Sequence, residues 1–250
     1  MEAAQETFLS HLIELRERLV RSLIAVGLVS LPALYFSSDL YDLLALPLIK
    51  SMPLGTKMIA TGVITPFLIP MKIALVAAFL VALPYVLYQV WAFVAPGLYA
   101  HEKRLVLPLI VSSTILFFVG MAFCYFIVFG RVFDFIGSFA PKSISVAPDI
   151  EAYFNFVLGM FLAFGLAFEV PVVVVVLVIT GIVSVEQLRE WRGYVIVAIF
   201  TLAAIITPPD AVSMISLAIP MCVLYEVGLF FAQVISRRSK AAAGLGESRE

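Results

Sequence analysis

Charged residues are scarce in this sequence of 250 residues. Asp, Glu, Lys and Arg make up 13% of it, whereas a soluble domain has about a quarter. Hydrophobic residues make up 63%, and the mean hydropathy is +1.10. A chain this apolar has too few polar side chains to cover its surface in water, so part of its solvent must be lipid. The net charge of -1 gives no basis for binding nucleic acid.

Cysteine and histidine are equally rare. The two cysteines, Cys124 and Cys222, lie inside apolar runs, and no CxxC or Cys/His cluster occurs, which argues against zinc sites and thioredoxin-like redox chemistry. No GxxxxGK[ST] loop is present, which argues against nucleotide hydrolysis. The two histidines, His11 and His101, flank apolar runs, so an intramembrane protease would lack a catalytic Ser/His pair at membrane depth. We expect no cofactor, no metal and no enzymatic activity.

Long apolar runs predict an all-α membrane protein with six transmembrane helices. The fifth run holds about a dozen residues, which is roughly 18 Å of helix and too short for ~30 Å of hydrocarbon. We therefore expect short fifth and sixth spans, or four spans with a re-entrant hairpin in place of the last two. Residues 1–236 are predicted to form one integral-membrane domain, and residues 237–250 a disordered cytoplasmic tail. The predicted spans are residues 19–36, 67–93, 105–136, 152–182, 195–206 and 211–235.

The segment between the first two spans, residues 37–66, is too polar to span and too rich in proline to form one helix. Lys and Arg concentrate on the segments that an internal N-terminus places in the cytoplasm, which predicts that both termini face inward. Prolines inside the spans predict bent helices that form a concave cup, although ordinary membrane-helix kinks are an alternative reading. These prolines are Pro32, Pro84, Pro108, Pro171 and Pro220.

Two glutamates fall at membrane depth, where a carboxylate is costly. Glu169 lies midway in the fourth span, which Glu169-Val170-Pro171 interrupts. It would serve as a proton relay or as a polar contact for a substrate or partner helix, or else as a protonated group hydrogen-bonded inside the bundle. Glu226, in the sixth span, is a candidate for partner contact or for a structural role.

Two carboxylates also lie close to basic residues in the segments predicted to face the cytoplasm. Glu14 lies on an N-terminal amphipathic helix, and Glu102 follows the aromatic turn at residues 91–101. Carboxylates bind guanidinium groups in bidentate fashion, most strongly where water is scarce. An apolar shelf beside them would suit the hydrophobic stretch of a peptide, whereas the alternative reading is an aromatic belt with solvated ion pairs.

Several separated motifs resemble the TatC family, the multispanning subunit of the twin-arginine translocase, and the resemblance extends to about Ser236. The N-terminal motif is His11-Leu-Ile-Glu14-Leu-Arg16-Glu-Arg18-Leu, and the first inner loop matches from Tyr88-Gln-Val-Trp91 to His101-Glu102. Further matches are Met58-Ile-Ala60-Thr61, Phe168-Glu169-Val-Pro171 and Thr207-Pro208-Pro209-Asp210. One departure is Ala100, since some relatives carry a basic residue just before the His-Glu pair.

The resemblance implies a role for each matching residue. Glu102 would contact the paired arginines of a signal peptide, with Glu14 assisting it. The other implied residues are Phe93 and Leu98 in signal recognition, Arg16 and Pro47 as residues needed for function, Glu169 as the intramembrane glutamate and Asp210 in the last outer turn.

The resemblance also implies a receptor in the bacterial inner membrane. It would bind twin-arginine signal peptides, recruit TatB- and TatA-type single-span subunits, form homo-oligomers within the receptor complex and use the proton gradient. A rival class is a proton-coupled transporter with Glu169 as carrier, but such proteins often show inverted repeats and the sequence has no convincing internal repeat.

Overall fold

A computed structural model describes residues 2–51, 58–94, 106–139, 147–207 and 211–247. Its described side chains are those of residues 11–50, 58–94, 107–135, 147–207 and 211–236. Within these ranges the fold is helical, and the one extended pairing is an isolated parallel bridge between Ile59 and Asp149. The chain forms two compact units, Met1–Thr114 with Ile136–Leu158, and Ile115–Phe135 with Gly159–Glu250.

The first three helices belong to the first unit. Helix α1 is Glu2–Tyr35, α2 is Ser37–Ser51 and α3 is Thr65–Val94. Both α1 and α2 pack against α3. As predicted, the segment between the first two spans is not one helix, because α2 ends at Ser51 and residues 58–64 are not helical. Helix α2 itself was not predicted, and it keeps Pro47 inside it. Ala45 and Leu48 of α2 are buried, and burial of apolar side chains offsets the backbone hydrogen bond that proline removes.

The third and fourth predicted spans are each interrupted helices. Helix α4, Val106–Phe123, passes through a π-helical turn, Cys124–Val128, into α5, Phe129–Phe139. Helix α6, Ile150–Ala167, is followed after Phe168 and Glu169 by α7, Val170–Ile179. The predicted interruption at Glu169-Val170-Pro171 is confirmed.

The last three helices are α8, Val185–Glu190, α9, Arg192–Ile206, and α10, Ala211–Glu247. Ser184 and Gln187 form a capping box that starts α8. Helix α9 has 15 residues, or about 22 Å at 1.5 Å per residue, so the predicted short fifth run is confirmed.

Two predictions for the C-terminal segment are wrong. The sixth apolar run is not short, because α10 keeps Pro220 inside it and its apolar part, Ala211–Ser236, has 26 residues. The predicted disordered tail is helical as far as Glu247, where Arg, Lys and Ala favour continuation of the helix.

Proline positions also differ from the prediction. Pro108 and Pro171 lie in the first turns of α4 and α7, where the missing N–H has no intrahelical partner to lose. Conversely, Pro70 lies inside α3, together with the predicted Pro84.

Among the described residues, five helices are long and apolar enough to cross a membrane, and α9 is a shorter apolar helix. The six-span count, the inward orientation of both termini, the single membrane domain and the concave cup stay predictions. The five long segments are His11–Tyr35, Thr65–Val94, Leu107–Phe135, Ile150–Ile179 and Ala211–Ser236.

Glycines permit close helix packing in the second unit. A Cβ atom on Gly120 of α4 would lie 2.5 Å from the carbonyl oxygen of Phe164, and one on Gly165 of α6 would lie 2.5 Å from the ring of Phe117. Small residues that let backbones approach are a typical packing device of membrane helices. The close approach of α4 and α6 therefore requires glycine at both positions.

Candidate functional site

One face of α1 lies against the C-terminal half of α3. We call the group formed by His11, Glu14, Arg18, Gln89 and Phe93 the α1–α3 cluster. The imidazole of His11 stacks on the ring of Phe93 with centroids 4.2 Å apart, and the guanidinium of Arg18 reaches Gln89 of α3. Glu14 lies between these two contacts, one helical turn from His11 and one helical turn from Arg18.

The carboxylate of Glu14 is held by the guanidinium of Arg18 on the next turn of α1. Both Nε and Nη2 of Arg18 donate to the same oxygen, Oε1, at 2.9 and 2.5 Å. Glu at position i and Arg at i+4 is the favourable order for a helix pair. The Glu14 side chain is 35% exposed and that of Arg18 is 21% exposed, so the carboxylate is the more accessible partner.

Buried hydrogen bonds fix the α3 side of the cluster. Gln89 is 4% exposed and accepts from Nη1 of Arg18 at 3.4 Å. Two residues later, the indole N–H of Trp91 donates to the hydroxyl of Ser113 on α4 at 3.0 Å, and both side chains are buried. A buried indole N–H needs such a partner, so this bond fixes the rotation of α3 at the point where Phe93 emerges.

The structure brings together only part of the predicted recognition set. Glu14 and half-buried Phe93 belong to the α1–α3 cluster, whereas Arg16 is exposed on α1. Leu98 and Glu102 lie outside the described residues. Arg18 and Gln89 were not among the predicted site residues. The spacing of Glu14 and Arg18 signals their ion pair, but no local pattern signals a contact between residues 71 positions apart.

Glu169 lies at the break between α6 and α7 and is 9% exposed. The N–H of Glu169 donates to the carbonyl of Leu166, and its carbonyl accepts from Val173, so the backbone stays bonded through the break. Around it, Phe168 packs on Phe123 with ring centroids 5.7 Å apart. Burial of a carboxyl group in such apolar surroundings is costly, and the position of Glu169 at membrane depth stays a prediction.

Glu226 takes part in a pair of polar contacts between the α8–α9 corner and α10. Its carboxylate accepts from Nη2 of Arg192 at 2.5 Å, and Gln233, two turns further along α10, accepts from Arg189 at 2.6 Å. Next to Glu226 in the sequence, the Tyr225 hydroxyl donates to the carbonyl of Leu188 at 2.7 Å. These contacts tie the start of α9 to α10, so Glu226 has a structural partner within the chain.

Hydrogen bonds join the segment before α3 to the start of α6. Oδ2 of Asp149 accepts from the backbone N–H and the hydroxyl of Thr61, and Oδ1 caps α6 by accepting from the N–H of Ala152. The bond from Ala152, followed by that from the Thr61 hydroxyl, holds the pKa of the Asp149 carboxyl below its usual value. The backbone of Ile59 pairs with Pro148 and Ile150 on either side.

The predicted Pro47 lies half-buried in α2, which belongs to the same unit. The hydroxyl of Tyr153 on α6 donates to the carbonyl of Leu44, less than one turn before the proline, at 2.8 Å. Pro47 is therefore part of a helix whose position is held by α3 and α6. The predicted Asp210 lies outside the described residues.

Comparison with known proteins identifies the family. The family model described as Sec-independent protein translocase protein (TatC) matches residues 10–220. Among curated relatives, the TatC protein of Haemophilus influenzae is 48% identical over 238 residues, which is 95% of this chain and 93% of that protein. The TatC protein of Escherichia coli strain K12 is 47% identical over 245 residues, which is 98% of this chain and 92% of that protein.

A solved structure agrees with these relatives. The crystal structure of a twin arginine translocase receptor, TatC, superimposes with a TM-score of 0.79 at 39% identity, and the match covers 90% of this chain and 99% of that chain. These relatives are named as translocase proteins, and the matched region includes α1, α3, the break at Glu169 and α9. The chain belongs to the TatC family of Sec-independent protein translocase proteins.

Proposed function

We propose that this chain is the signal-peptide receptor of the twin-arginine export system. Glu14, together with Glu102, binds the paired arginines of a signal peptide at the cytoplasmic face. The observation that carries the proposal is the Glu14 carboxylate, which sits at a half-exposed edge of the α1–α3 cluster and already binds a guanidinium. A carboxylate held on a rigid helix pair can accept two parallel N–H bonds from an arginine.

The rest of the proposed site is apolar. Phe93 is half-buried at the end of α3, and Leu98 follows five positions later in the sequence. In this proposal these side chains hold the hydrophobic stretch of the signal peptide beside the carboxylates. Arg16, exposed on α1, contributes a positive charge at the same face.

The chain also organises partner subunits in this proposal. Single-span TatB- and TatA-type subunits dock near the buried Glu169, Glu226 and the short helix α9, and several copies of the chain assemble in the receptor complex. The shortness of α9 supports this, because a helix of about 22 Å thins the bilayer locally or stays covered by a partner. The proton gradient supplies the energy for moving folded proteins across the inner membrane.

Six helices cross the inner membrane in this proposal, α9 among them, with both termini in the cytoplasm. The distribution of Lys and Arg supports that orientation, because they concentrate in the segments assigned to the cytoplasm. Lys72 near the start of α3, on the opposite side, donates to Asn155 at 3.3 Å.

Peptide binding to the full chain in nanodiscs tests the receptor role. A fluorescent synthetic peptide with paired arginines and an apolar stretch is titrated against wild type and Glu14→Gln, and the dissociation constant is read from anisotropy. Loss of a charge-assisted hydrogen bond predicts about 10- to 100-fold weaker binding. The matched control is Glu17→Gln, which removes an exposed carboxylate from the same helix and leaves binding unchanged. Equal affinities for Glu14→Gln and wild type would refute the assignment of Glu14.

A further inference from the structure

We propose that Arg18 is an internal competitor for the Glu14 carboxylate, which an arginine of the signal peptide must displace in order to bind. This inference rests on the proposed receptor function and adds to it a residue that regulates affinity. The group that a ligand guanidinium needs is occupied, in the unbound chain, by a guanidinium from one turn away on the same helix.

The geometry of the internal pair makes it displaceable. Both bonds from Arg18 converge on Oε1 of Glu14. The strongest arginine–carboxylate arrangement instead has two parallel bonds, one to each carboxylate oxygen. A helix side chain four residues away reaches the carboxylate side-on, whereas a peptide arginine arriving from outside is free to adopt the parallel arrangement.

Exposure favours the same exchange. The carboxylate of Glu14 is 35% exposed and Arg18 is 21% exposed, so the carboxylate is the partner more accessible to an external cation. The Nη1 atom of Arg18 lies 3.4 Å from Oε1 of buried Gln89. This second acceptor retains Arg18 beside α3 when Glu14 changes partner.

The internal pair has a consequence for release. A receptor must let its signal peptide go, and Arg18 remains within reach of the carboxylate throughout. When the peptide leaves, the Arg18 guanidinium binds the Glu14 carboxylate again, so the carboxylate does not need water or another ligand as its partner. Arg18 therefore weakens peptide binding and prevents the carboxylate from holding its ligand too tightly.

Peptide affinity in the full chain tests this competition. The probe is the fluorescent twin-arginine peptide, titrated against wild type, Arg18→Gln and Arg18→Lys in nanodiscs. Removal of a half-exposed ion pair predicts about two- to fivefold tighter binding to Arg18→Gln. Arg18→Lys, which keeps the charge but loses the planar fork, is expected to fall between wild type and Arg18→Gln, and it carries the test if Arg18→Gln fails to fold.

A matched control and a double variant separate competition from other effects. Arg21→Gln removes the same charge from the exposed Glu17–Arg21 pair of the same helix and is expected to leave affinity unchanged. In a Glu14→Gln background, Arg18→Gln is expected to have no further effect.

Each remaining outcome is decisive. Unchanged or weaker binding to Arg18→Gln, with Glu14→Gln still defective, would overturn the competition and leave the receptor function standing. Equal tightening by Arg18→Gln and Arg21→Gln would overturn it as well, because general charge would then be the cause. Wild-type binding by Glu14→Gln would overturn the receptor assignment of Glu14 and this inference with it.

Discussion

Replacing Gly120 with alanine should destabilise the second unit, because the added methyl group meets backbone. A Cβ atom at this position would lie 2.5 Å from the carbonyl oxygen of Phe164 and 2.9 Å from the ring of Phe168. Gly120 is buried, so the methyl group cannot turn into open space. Relief of the contact requires α4 and α6 to move apart.

The expected cost follows from two opposing effects. Overpacking of a close-packed site typically costs about 1–3 kcal/mol. Alanine is a better helix former than glycine by about 1 kcal/mol, which reduces the net loss at Gly120 to about 0–2 kcal/mol. At Gly159 of α6, nothing lies within 4 Å of an added Cβ, so Gly159→Ala should be neutral or stabilising. The two variants should therefore differ by about 2 kcal/mol in the free energy of unfolding.

The assay is unfolding of the purified chain in detergent micelles by titration with SDS, followed by circular dichroism. Gly130→Ala in α5 provides a second control, since an added Cβ there also meets nothing within 4 Å. Equal unfolding midpoints for Gly120→Ala and the two control variants would refute the close approach of α4 and α6.

Three further predictions follow from other contacts. Ser113→Ala should lower the free energy of unfolding by about 1 kcal/mol, because the buried indole N–H of Trp91 loses its acceptor. The same SDS titration checks this. A stability equal to that of wild type would contradict the contribution of this hydrogen bond. The Asp149 carboxylate should stabilise the fold fully above about pH 4, the ordinary carboxyl pKa, and this stabilisation should be lost as pH falls through its lowered pKa. The difference in melting temperature between wild type and Asp149→Ala should therefore shrink on acidification. A difference that stays constant would contradict the role of the Asp149 hydrogen bonds. Inserting four leucines into the 195–206 run adds about 6 Å and should impair export while leaving peptide binding intact; unimpaired export would reject a role for local membrane thinning.

Periodicity and composition predicted most of the helices. Runs of apolar residues long enough for a bilayer coincide with five long helices, and the unusually short run before Thr207 coincides with α9. These features were predictable because length and hydropathy are local properties of the sequence. Helix α2 was not predicted, because Pro47 and the charges around it are unfavourable locally, and its burial against α3 is a tertiary effect.

Some helix starts and the long-range contacts could not be predicted from the sequence either. Pro108 lies in the first turn of α4 although the apolar pattern around it is continuous, so the pattern alone does not show where the helix begins. The bond between Thr61 and Asp149 joins residues 88 positions apart, and each is an ordinary polar loop residue when considered alone. At the candidate site, Glu14 was identified as a carboxylate among basic residues and Phe93 through motif resemblance, whereas Gln89 required the packing of α1 on α3.

The most direct test of the receptor role is photo-crosslinking from a probe at Phe93, at the edge of the α1–α3 cluster. The chain in native membranes is offered a signal peptide with paired arginines or the same peptide with paired lysines, which lack the planar fork. The receptor account predicts a strong crosslink to the arginine form only, lost in Glu14→Gln and Glu102→Ala and retained in Glu17→Gln. Equal crosslinking of the two peptides, unaffected by these glutamate substitutions, would contradict it.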